Sequence, residues 1–182
     1  MKTTSMFGAA MAAAMVSIAS ESHAQDLLSQ HYRGTALALS GYGGFGFERG
    51  GAGRVQLELQ HHFGGTYEGP MLGIGLSVAG GWGGYYALGA RFQWDIKLLR
   101  STAFFLSPYI GADVGLWYNG CGGSACLGFG VMPYAGLEWR IIIANRLLLG
   151  VRLPGIIVPV WLGYTTPYWF GLEGGVTIGI TF

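Results

Sequence analysis

Few residues of this chain have side chains that could carry out catalysis. Of its four histidines, three lie beyond residue 24: His31, His61 and His62. A serine nucleophile needs a histidine base within hydrogen-bonding distance of its hydroxyl, and none of the three has a serine two residues away on a predicted strand. The glycine-rich segment Gly41 to Gly46 is no phosphate-binding loop, because no lysine follows it and no helix begins there. The residue pattern therefore predicts neither an enzyme nor a cofactor site.

The two cysteines, Cys121 and Cys126, lie close together in a short segment rich in glycine, serine and alanine. In an oxidising compartment this spacing indicates a local disulfide. A zinc site is the competing interpretation, but two thiolates without a nearby histidine cannot complete a set of four ligands. We therefore predict a disulfide between these two residues and no bound metal.

The composition excludes several classes of protein. Charged residues make up 10% of the chain and hydrophobic residues 51%, whereas soluble domains contain about 25% charged residues. The net charge is +1. The chain has no cluster of lysine and arginine that could bind along a phosphate backbone, so we expect no nucleic-acid binding. The 34 glycines argue against long helices, because each interior glycine destabilises a helix by about 1 kcal/mol. Low charge with high apolar content predicts an exterior that faces lipid.

The N-terminus has the three parts of a secretory signal peptide. Lys2 supplies the positive charge, Phe7 to Ala19 form a short apolar core, and Ser22-His23-Ala24 places small residues at positions −3 and −1. A retained membrane anchor is the alternative, although the core is shorter than the roughly 20 residues of a spanning helix. We predict cleavage of residues 1–24 after Ala24, which leaves residues 25–182 as one exported domain.

The most helix-like stretch of this domain, Ile141 to Gly163, is a poor membrane span. It contains Arg146, Arg152, Pro154 and Pro159, and both charges and prolines disfavour a lone helix in lipid. Without a helix, a closed barrel is the remaining way to satisfy all backbone polar groups in hydrocarbon. The sequence thus predicts an all-β fold: a closed, antiparallel, up-and-down transmembrane β-barrel of about eight strands.

Eight segments alternate between apolar residues and polar or small ones, as the wall of such a barrel requires. They are roughly Tyr32–Ser40, Arg54–Phe63, Met71–Ala79, Tyr86–Leu98, Ala103–Tyr118, Phe129–Ile141, Arg146–Leu153 and Phe170–Phe182. The last is the clearest, because apolar side chains from Leu172 to Phe182 share one face. Pro108 and Pro133 interrupt two of the segments, which indicates either bulges or shifted strand boundaries.

The predicted connections alternate in length along the chain. Short turns on the periplasmic side are predicted near Gly64–Gly69, Leu99–Thr102 and Ala144–Asn145. Longer outer loops are predicted at Gly41–Gly53, Gly80–Tyr85, Asn119–Gly128 and Pro154–Trp169. An even number of strands places both termini on the periplasmic side.

The alternation assigns ten charged residues to the inside of the barrel, five acidic and five basic. They are Arg54, Glu58, Arg91, Asp95, Lys97, Asp113, Glu138, Arg140, Arg152 and Glu173. An eight-stranded barrel is just wide enough inside for side chains, so charges there must pair or stay hydrated. One interpretation is a balanced network of ion pairs that plugs the lumen, and the other is a gate or narrow polar pore.

The signal peptide and the alternating segments resemble the eight-stranded outer-membrane barrels of Gram-negative bacteria, such as the OmpA transmembrane domain and the OmpX and OmpW types. The chain ending, with Val176, Ile178, Ile180 and a terminal Phe182, looks like the C-terminal signal that the barrel-assembly machinery reads. The resemblance implies an outer-membrane location. It also implies membrane lipids as partners, and the assembly machinery as a partner during biogenesis.

The resemblance indicates a class of protein and says almost nothing about function. We predict a non-enzymatic role, structural or at the surface, in which outer loops rich in glycine and aromatic residues contact a partner of unknown kind. A narrow channel or a carrier of small molecules is the alternative. Some small outer-membrane barrels modify lipid A with a His-Ser pair and a carboxylate near the outer rim. That activity is less expected here, because His61 and His62 lie at a predicted periplasmic turn.

Overall fold

The computed structural model describes residues 34–46, 50–63, 67–81, 84–98, 103–121, 124–162 and 170–182. For Trp161 and for residues 119–121 and 124–126 it describes the backbone alone. Within these ranges, no helix is long and apolar enough to cross a membrane. The predicted signal peptide lies outside the described part of the chain.

Strands account for almost all of the described residues. They are β1 (Thr35–Gly46), β2 (Gly50–His62), β3 (Gly69–Gly80), β4 (Gly84–Lys97), β5 (Phe104–Cys121), β6 (Ser124–Ile143), β7 (Leu147–Ile157), β8 (Val160–Leu162) and β9 (Gly171–Thr181). The two longest, β5 and β6, contain 18 and 20 residues and form one hairpin.

The strands pair antiparallel, and the sheet closes on itself. β1 pairs with both β2 and β9, and the pairing of β5 with β6 completes the circle. Both β7 and β8 pair with β6, and β8 continues the line of β7, so the nine strands fill eight positions in the wall. The predicted closed, antiparallel, up-and-down barrel of about eight strands is confirmed.

The two ends of the barrel differ in their connections. The start of β1, the end of β9 and the turn at residues 144–146 lie together at one end, here called the terminal end. The opposite end is called the loop end. At the turn, Ala144 and Asn145 have φ values of 50° and 54°, and Arg146 N donates to Ile143 O at 3.0 Å. These values fit a two-residue hairpin turn of type I′, at the place where the sequence predicts a tight turn.

Side chains alternate between the two faces of the wall, with a polarity opposite to that of a soluble protein. Apolar residues point outward, and Leu76 in β3 is 63% exposed. Charged residues point inward, and Arg91 in the adjacent β4 is 0% exposed. A shift of any strand by one residue would move its charged side chains outward and its apolar side chains inward, so the pattern specifies the register.

The strands extend further toward the loop end than the sequence predicts. Most of the predicted loop Gly41–Gly53 belongs to β1 and β2, which only residues 47–49 separate. Likewise, most of Asn119–Gly128 is the paired end of the β5–β6 hairpin, and part of Pro154–Trp169 lies in β7 and β8. These loop predictions are wrong because glycine gives no alternating side-chain pattern, although its backbone forms ladder hydrogen bonds like that of other residues.

Pro108 and Pro133 lie inside β5 and β6, and neither marks a bulge. Pro108 keeps its register opposite Leu137, while the ladder between β5 and β4 is interrupted beside it and resumes in the same register. Proline has no N–H, so it leaves a ladder bond unmade without shifting the strand. The bulge lies instead in β7, where one extra residue between Arg152 and Gly155 shifts the register toward both neighbouring strands.

Gly115 of β5 lies where the wall has no room for a side chain. A Cβ atom there would overlap the Tyr86 carbonyl oxygen and lie 2.6 Å from Ala87 Cα, both in the backbone of β4. We expect Gly115→Ala to lower the free energy of unfolding by about 2 kcal/mol, because overpacking forces the backbone to shift. The control is Gly43→Ala, whose Cβ meets no atom within 4 Å. Urea unfolding in detergent micelles measures both variants, and equal effects would contradict the close strand approach.

Candidate functional site

Nine of the ten charged residues assigned to the lumen are buried inside the barrel. The tenth, Lys97, is half-buried at the terminal end of β4 and takes part in none of the ion pairs that the described residues form. The nine buried residues gather into three groups along the barrel. These are called the central, loop-end and terminal-end groups below.

The central group joins two glutamates and two arginines across the lumen. Arg91 Nη2 lies 2.8 Å from Glu58 Oε2, and Arg91 Nη1 lies 2.9 Å from Glu138 Oε2. Arg152 contacts the same Glu138 oxygen through its Nε atom at 3.3 Å. Glu138 therefore has two guanidinium partners, and the charges of the four side chains balance.

The loop-end group consists of one arginine and two carboxylates. Arg54 donates from Nε and Nη2 to the two oxygens of Glu173 at 3.0 and 2.5 Å, the bidentate geometry that makes such pairs strong. Its Nη1 donates to Asp113 Oδ2 at 2.6 Å. Ser77 also donates to this oxygen, at 2.7 Å. Four hydrogen bonds thus hold the two carboxylates in place.

The terminal-end group is built around Asp95. Its Oδ2 atom lies 2.8 Å from Arg140 Nη1 and 2.8 Å from His62 Nε2. Arg140 Nη2 donates to Gln60 Oε1 at 2.7 Å, and Gln60 donates in turn to Glu58 at 3.1 Å, which connects this group to the central one. His62 is therefore part of the lumen network, whereas the sequence pattern predicts a place at a turn.

Three tyrosine rings lie between the arginines. The Cζ atoms of Arg54 and Arg152 lie 4.4 and 4.5 Å from the centre of the Tyr42 ring. Arg152 also lies 4.7 Å from the centre of Tyr109, and Arg54 lies 4.9 Å from that of Tyr134. Cation–π contacts at such distances contribute about 0.5–2 kcal/mol each, and more where water is excluded. Each of these two arginines therefore touches two aromatic rings in addition to its carboxylate partners.

Tyr42 is an interior residue that the sequence pattern did not predict, because it falls in the predicted loop Gly41–Gly53. Its hydroxyl donates to Gln56 Oε1 at 3.0 Å in the interior. A signal for it exists in the sequence: the inward position of Ser40 repeats two residues later at Tyr42. Tyr109 and Tyr134, by contrast, lie inside as the alternation predicts.

Glycines make room for the buried carboxylates. A Cβ atom on Gly73 would overlap the carboxylate of Glu58, and one on Gly89 would overlap that of Asp113. A Cβ atom on Gly150 would likewise overlap the carboxylate of Glu138. Each of these acids therefore lies over a glycine, so part of the high glycine content reflects the space that the ion pairs need.

Apolar side chains close both ends of the charged interior. The loop-end apolar layer consists of Tyr85, Trp117, Met132 and Ile157, all buried. The ring centres of Tyr85 and Trp117 are 4.2 Å apart. A second buried cluster at the terminal end consists of Tyr67, Ala103, Phe105 and Ile142. The three charged groups thus lie between two apolar layers.

A small pocket remains at the loop end, where Arg54 and Glu173 face Trp117, Met132 and Ile157. Its volume is about 10 Å³, which is room for roughly one water molecule. The described part of the chain contains no group of three or more histidine, cysteine, aspartate or glutamate side chains that could hold a metal ion. Buried side chains thus occupy the described interior from the loop-end apolar layer to the cluster at the terminal end.

The remaining predicted residues lie at the loop end and on the outside. Cys121 pairs in the ladder with Ser124, and Cys126 with Asn119. The two cysteine side chains lie outside what the structure describes, so the disulfide stays a prediction. The four residues of the predicted assembly signal project outward from the C-terminal strand and are exposed: Val176, Ile178, Ile180 and Phe182.

Glu138 is the carboxylate on which the central group depends. We expect Glu138→Gln to lower the free energy of unfolding by about 3 kcal/mol, because removing one partner of a buried ion pair leaves uncompensated charge. Lys97→Gln is the control, since Lys97 is half-buried and outside the ion pairs; we expect a change below about 0.5 kcal/mol. Urea titration of both variants in the same micelles gives the comparison. If Glu138→Gln lowers the free energy of unfolding no more than the control does, the ion-pair network contributes little to stability.

Comparison with known proteins bears on the fold. No family model matches the sequence, and a search of curated proteins finds no match either. Among solved structures, the N-terminal β-barrel domain of Pseudomonas aeruginosa OprF is similar with a TM-score of 0.52 and 10% identity, over 82% of this chain and 99% of that domain. Neisserial surface protein A (NspA) is similar with a TM-score of 0.51 and 12% identity, over 81% of this chain and 96% of that protein. The chain therefore shares its fold with known eight-stranded outer-membrane barrels.

Proposed function

We propose that this chain is an outer-membrane β-barrel protein of a Gram-negative bacterium, with a role that is structural or lies at the cell surface. The reversed polarity of the barrel is the observation that carries the proposal. Every described strand of the wall has outward residues that are exposed and apolar, for example Leu57, Leu76 and Ile178. Soluble proteins rarely expose apolar patches beyond a few hundred Å². Surrounding hydrocarbon would complement this apolar surface. The β1–β9 and β5–β6 pairings close the sheet, so the paired strands satisfy their backbone polar groups within the protein.

The filled lumen favours a structural or surface role over transport. Arg91, Glu138 and Asp113 are fully buried, and the apolar layers cover the charged groups toward both ends. A continuous pore would need hydrated space along the axis, whereas the pocket at the loop end has room for about one water. The outer surface and the loop end are then the parts of the molecule that can meet other components.

Modification of lipid A receives less support from the histidines. His61 Nδ1 lies 3.1 Å from Thr35 Oγ1, and His62 pairs with Asp95 inside the barrel. Both lie at the end of β2 that the proposed topology places on the periplasmic side. A base for that chemistry belongs near the opposite, outer rim.

The proposal includes a route to the membrane and its partners. Residues 1–24 form a signal peptide that is cleaved after Ala24, and Cys121 and Cys126 form a disulfide after export. Outer-membrane lipids cover the apolar wall. The outward residues Val176 to Phe182 provide the signal for the barrel-assembly machinery, which their exposure on the last strand supports.

Membrane fractionation with a heat-modifiability gel tests the proposal. We expect the chain in the outer-membrane fraction, starting at Gln25, with a band that migrates differently before and after boiling. Leu76→Arg is expected to reduce the folded band, because arginine facing the middle of the bilayer costs about 2–4 kcal/mol. Leu98→Arg is the matched control, since an exposed residue just past the end of β4 lies near the interface, where the cost is about 0–1 kcal/mol.

Recovery in the soluble fraction with an unchanged band would overturn the membrane assignment. Equal loss of folded protein in the two arginine variants would show that Leu76 does not face hydrocarbon.

Planar-bilayer recording distinguishes the plugged barrel from a channel. We expect the purified, folded protein to insert without discrete current steps, because ion-paired side chains occupy the lumen. A general porin in the same bilayer serves as the positive control. Reproducible steps from the folded protein would favour the narrow channel instead.

A further inference from the structure

One part of the barrel wall is joined to its neighbour much more weakly than the rest. β8 pairs with β6 through three residue pairs, Phe129–Leu162, Gly130–Trp161 and Val131–Val160, and pairs with no other described strand. Between β7 and β8, Val158 and Pro159 lie outside the strands. By comparison, β2 and β3 pair without interruption from Gly53–Gly80 to His62–Met71.

Proline also removes a hydrogen bond between β6 and residues 158–162. Val158 N donates to Pro133 O at 3.0 Å, the first of the two bonds that such an antiparallel pair normally exchanges. Pro133 has no N–H and cannot return the second bond. The bulge between Arg152 and Gly155 interrupts the wall again a few residues earlier. The segment from Val158 to Leu162 is therefore weakly held along β6 and follows an irregular stretch of β7.

The loop-end apolar layer lies on the inner side of the wall where β8 pairs with β6. Met132 projects inward from β6 and Ile157 from β7, and both are buried. A Cβ atom on Gly130 would overlap the Trp117 indole and lie 2.9 Å from the Val160 carbonyl oxygen. Trp117 thus packs against the wall backbone at the point where β8 meets β6.

We infer that residues 158–162, here called the β8 flap, detach from β6 while the other strands stay paired, and thereby uncover the loop-end apolar layer from the side of the barrel. The flap breaks three residue pairs and one further backbone bond when it opens. The charged groups do not take part, since Arg54, Arg91 and Arg140 are held by strands outside the flap. Opening is a local change in the wall, and the lumen stays plugged.

Amide hydrogen exchange of the full folded protein in detergent micelles tests this inference. We expect the amides of Val158, Val160 and Leu162 to exchange at least tenfold faster than those of Tyr42 to Phe45. The latter segment is also at the loop end, but it pairs on both sides, with β2 and β9. If the flap amides exchange no faster than those of Tyr42 to Phe45, the inference is wrong. This result does not depend on which membrane holds the barrel, so it is distinct from a failure of the proposed function.

Two proline replacements test whether fast exchange at the flap comes from Pro133 or from a general property of the loop end. Pro133→Thr supplies the missing N–H next to Val158, so we expect exchange at the flap to slow at least threefold. Pro108→Thr is the matched control, because it restores a donor between β5 and β4 and is expected to leave the flap unchanged. An equal response to both replacements would contradict the assignment of the weakness to Pro133. The wild-type comparison stands by itself if either variant fails to fold.

Discussion

The pairing of buried arginines with carboxylates is the interaction on which the rest of this barrel depends. A wall that is apolar outside must place its polar residues in the lumen, where an unpaired charge costs several kcal/mol. Arg54, Arg91 and Arg152 each contact a carboxylate and also lie over tyrosine rings. A planar guanidinium can donate hydrogen bonds in its plane while stacking by its faces, which an ammonium group cannot do. This explains why the deeply buried cations of the lumen network are arginines, while Lys97 lies at the rim.

The same requirement shapes the wall. Glutamate and arginine side chains fit inside a barrel of this width only if facing positions are small, and Gly73, Gly89 and Gly150 lie under the carboxylates that they accommodate. Glycine in the wall weakens strand propensity, so the closed ladder and the interior contacts must supply the stability. Composition and electrostatics are therefore linked in this chain: its unusual glycine content and its ion-paired interior are two parts of one packing solution.

Much of this fold could be predicted from the sequence because period-two alternation is a direct consequence of a two-faced wall. Segments such as Gln56–Gln60 and Val176–Phe182 carry that pattern openly. The strand ends toward the loop end could not be predicted, because Gly41–Gly46 has no side-chain alternation apart from its aromatic residues. Charged residues could be assigned to the lumen, whereas their partners could not. Arg54 meets Glu173 only through the register of β1 with both β2 and β9, and such register depends on closure of the whole barrel. His62 was misplaced because nothing in its sequence neighbourhood indicates Asp95.

The pairing of the first strand with the last has a consequence for how the molecule forms. Ala36 pairs with Thr181 and Gly46 with Gly171, so the final ladder joins segments from opposite ends of the polypeptide. Until β9 is in place, β1 and β7 each present an open edge to any other chain, the situation that favours aggregation. Contacts of such long sequence separation also make folding slow. The sheet closes only when β9 pairs with both β1 and β7, so a polypeptide that ends before Gly171 cannot complete the barrel.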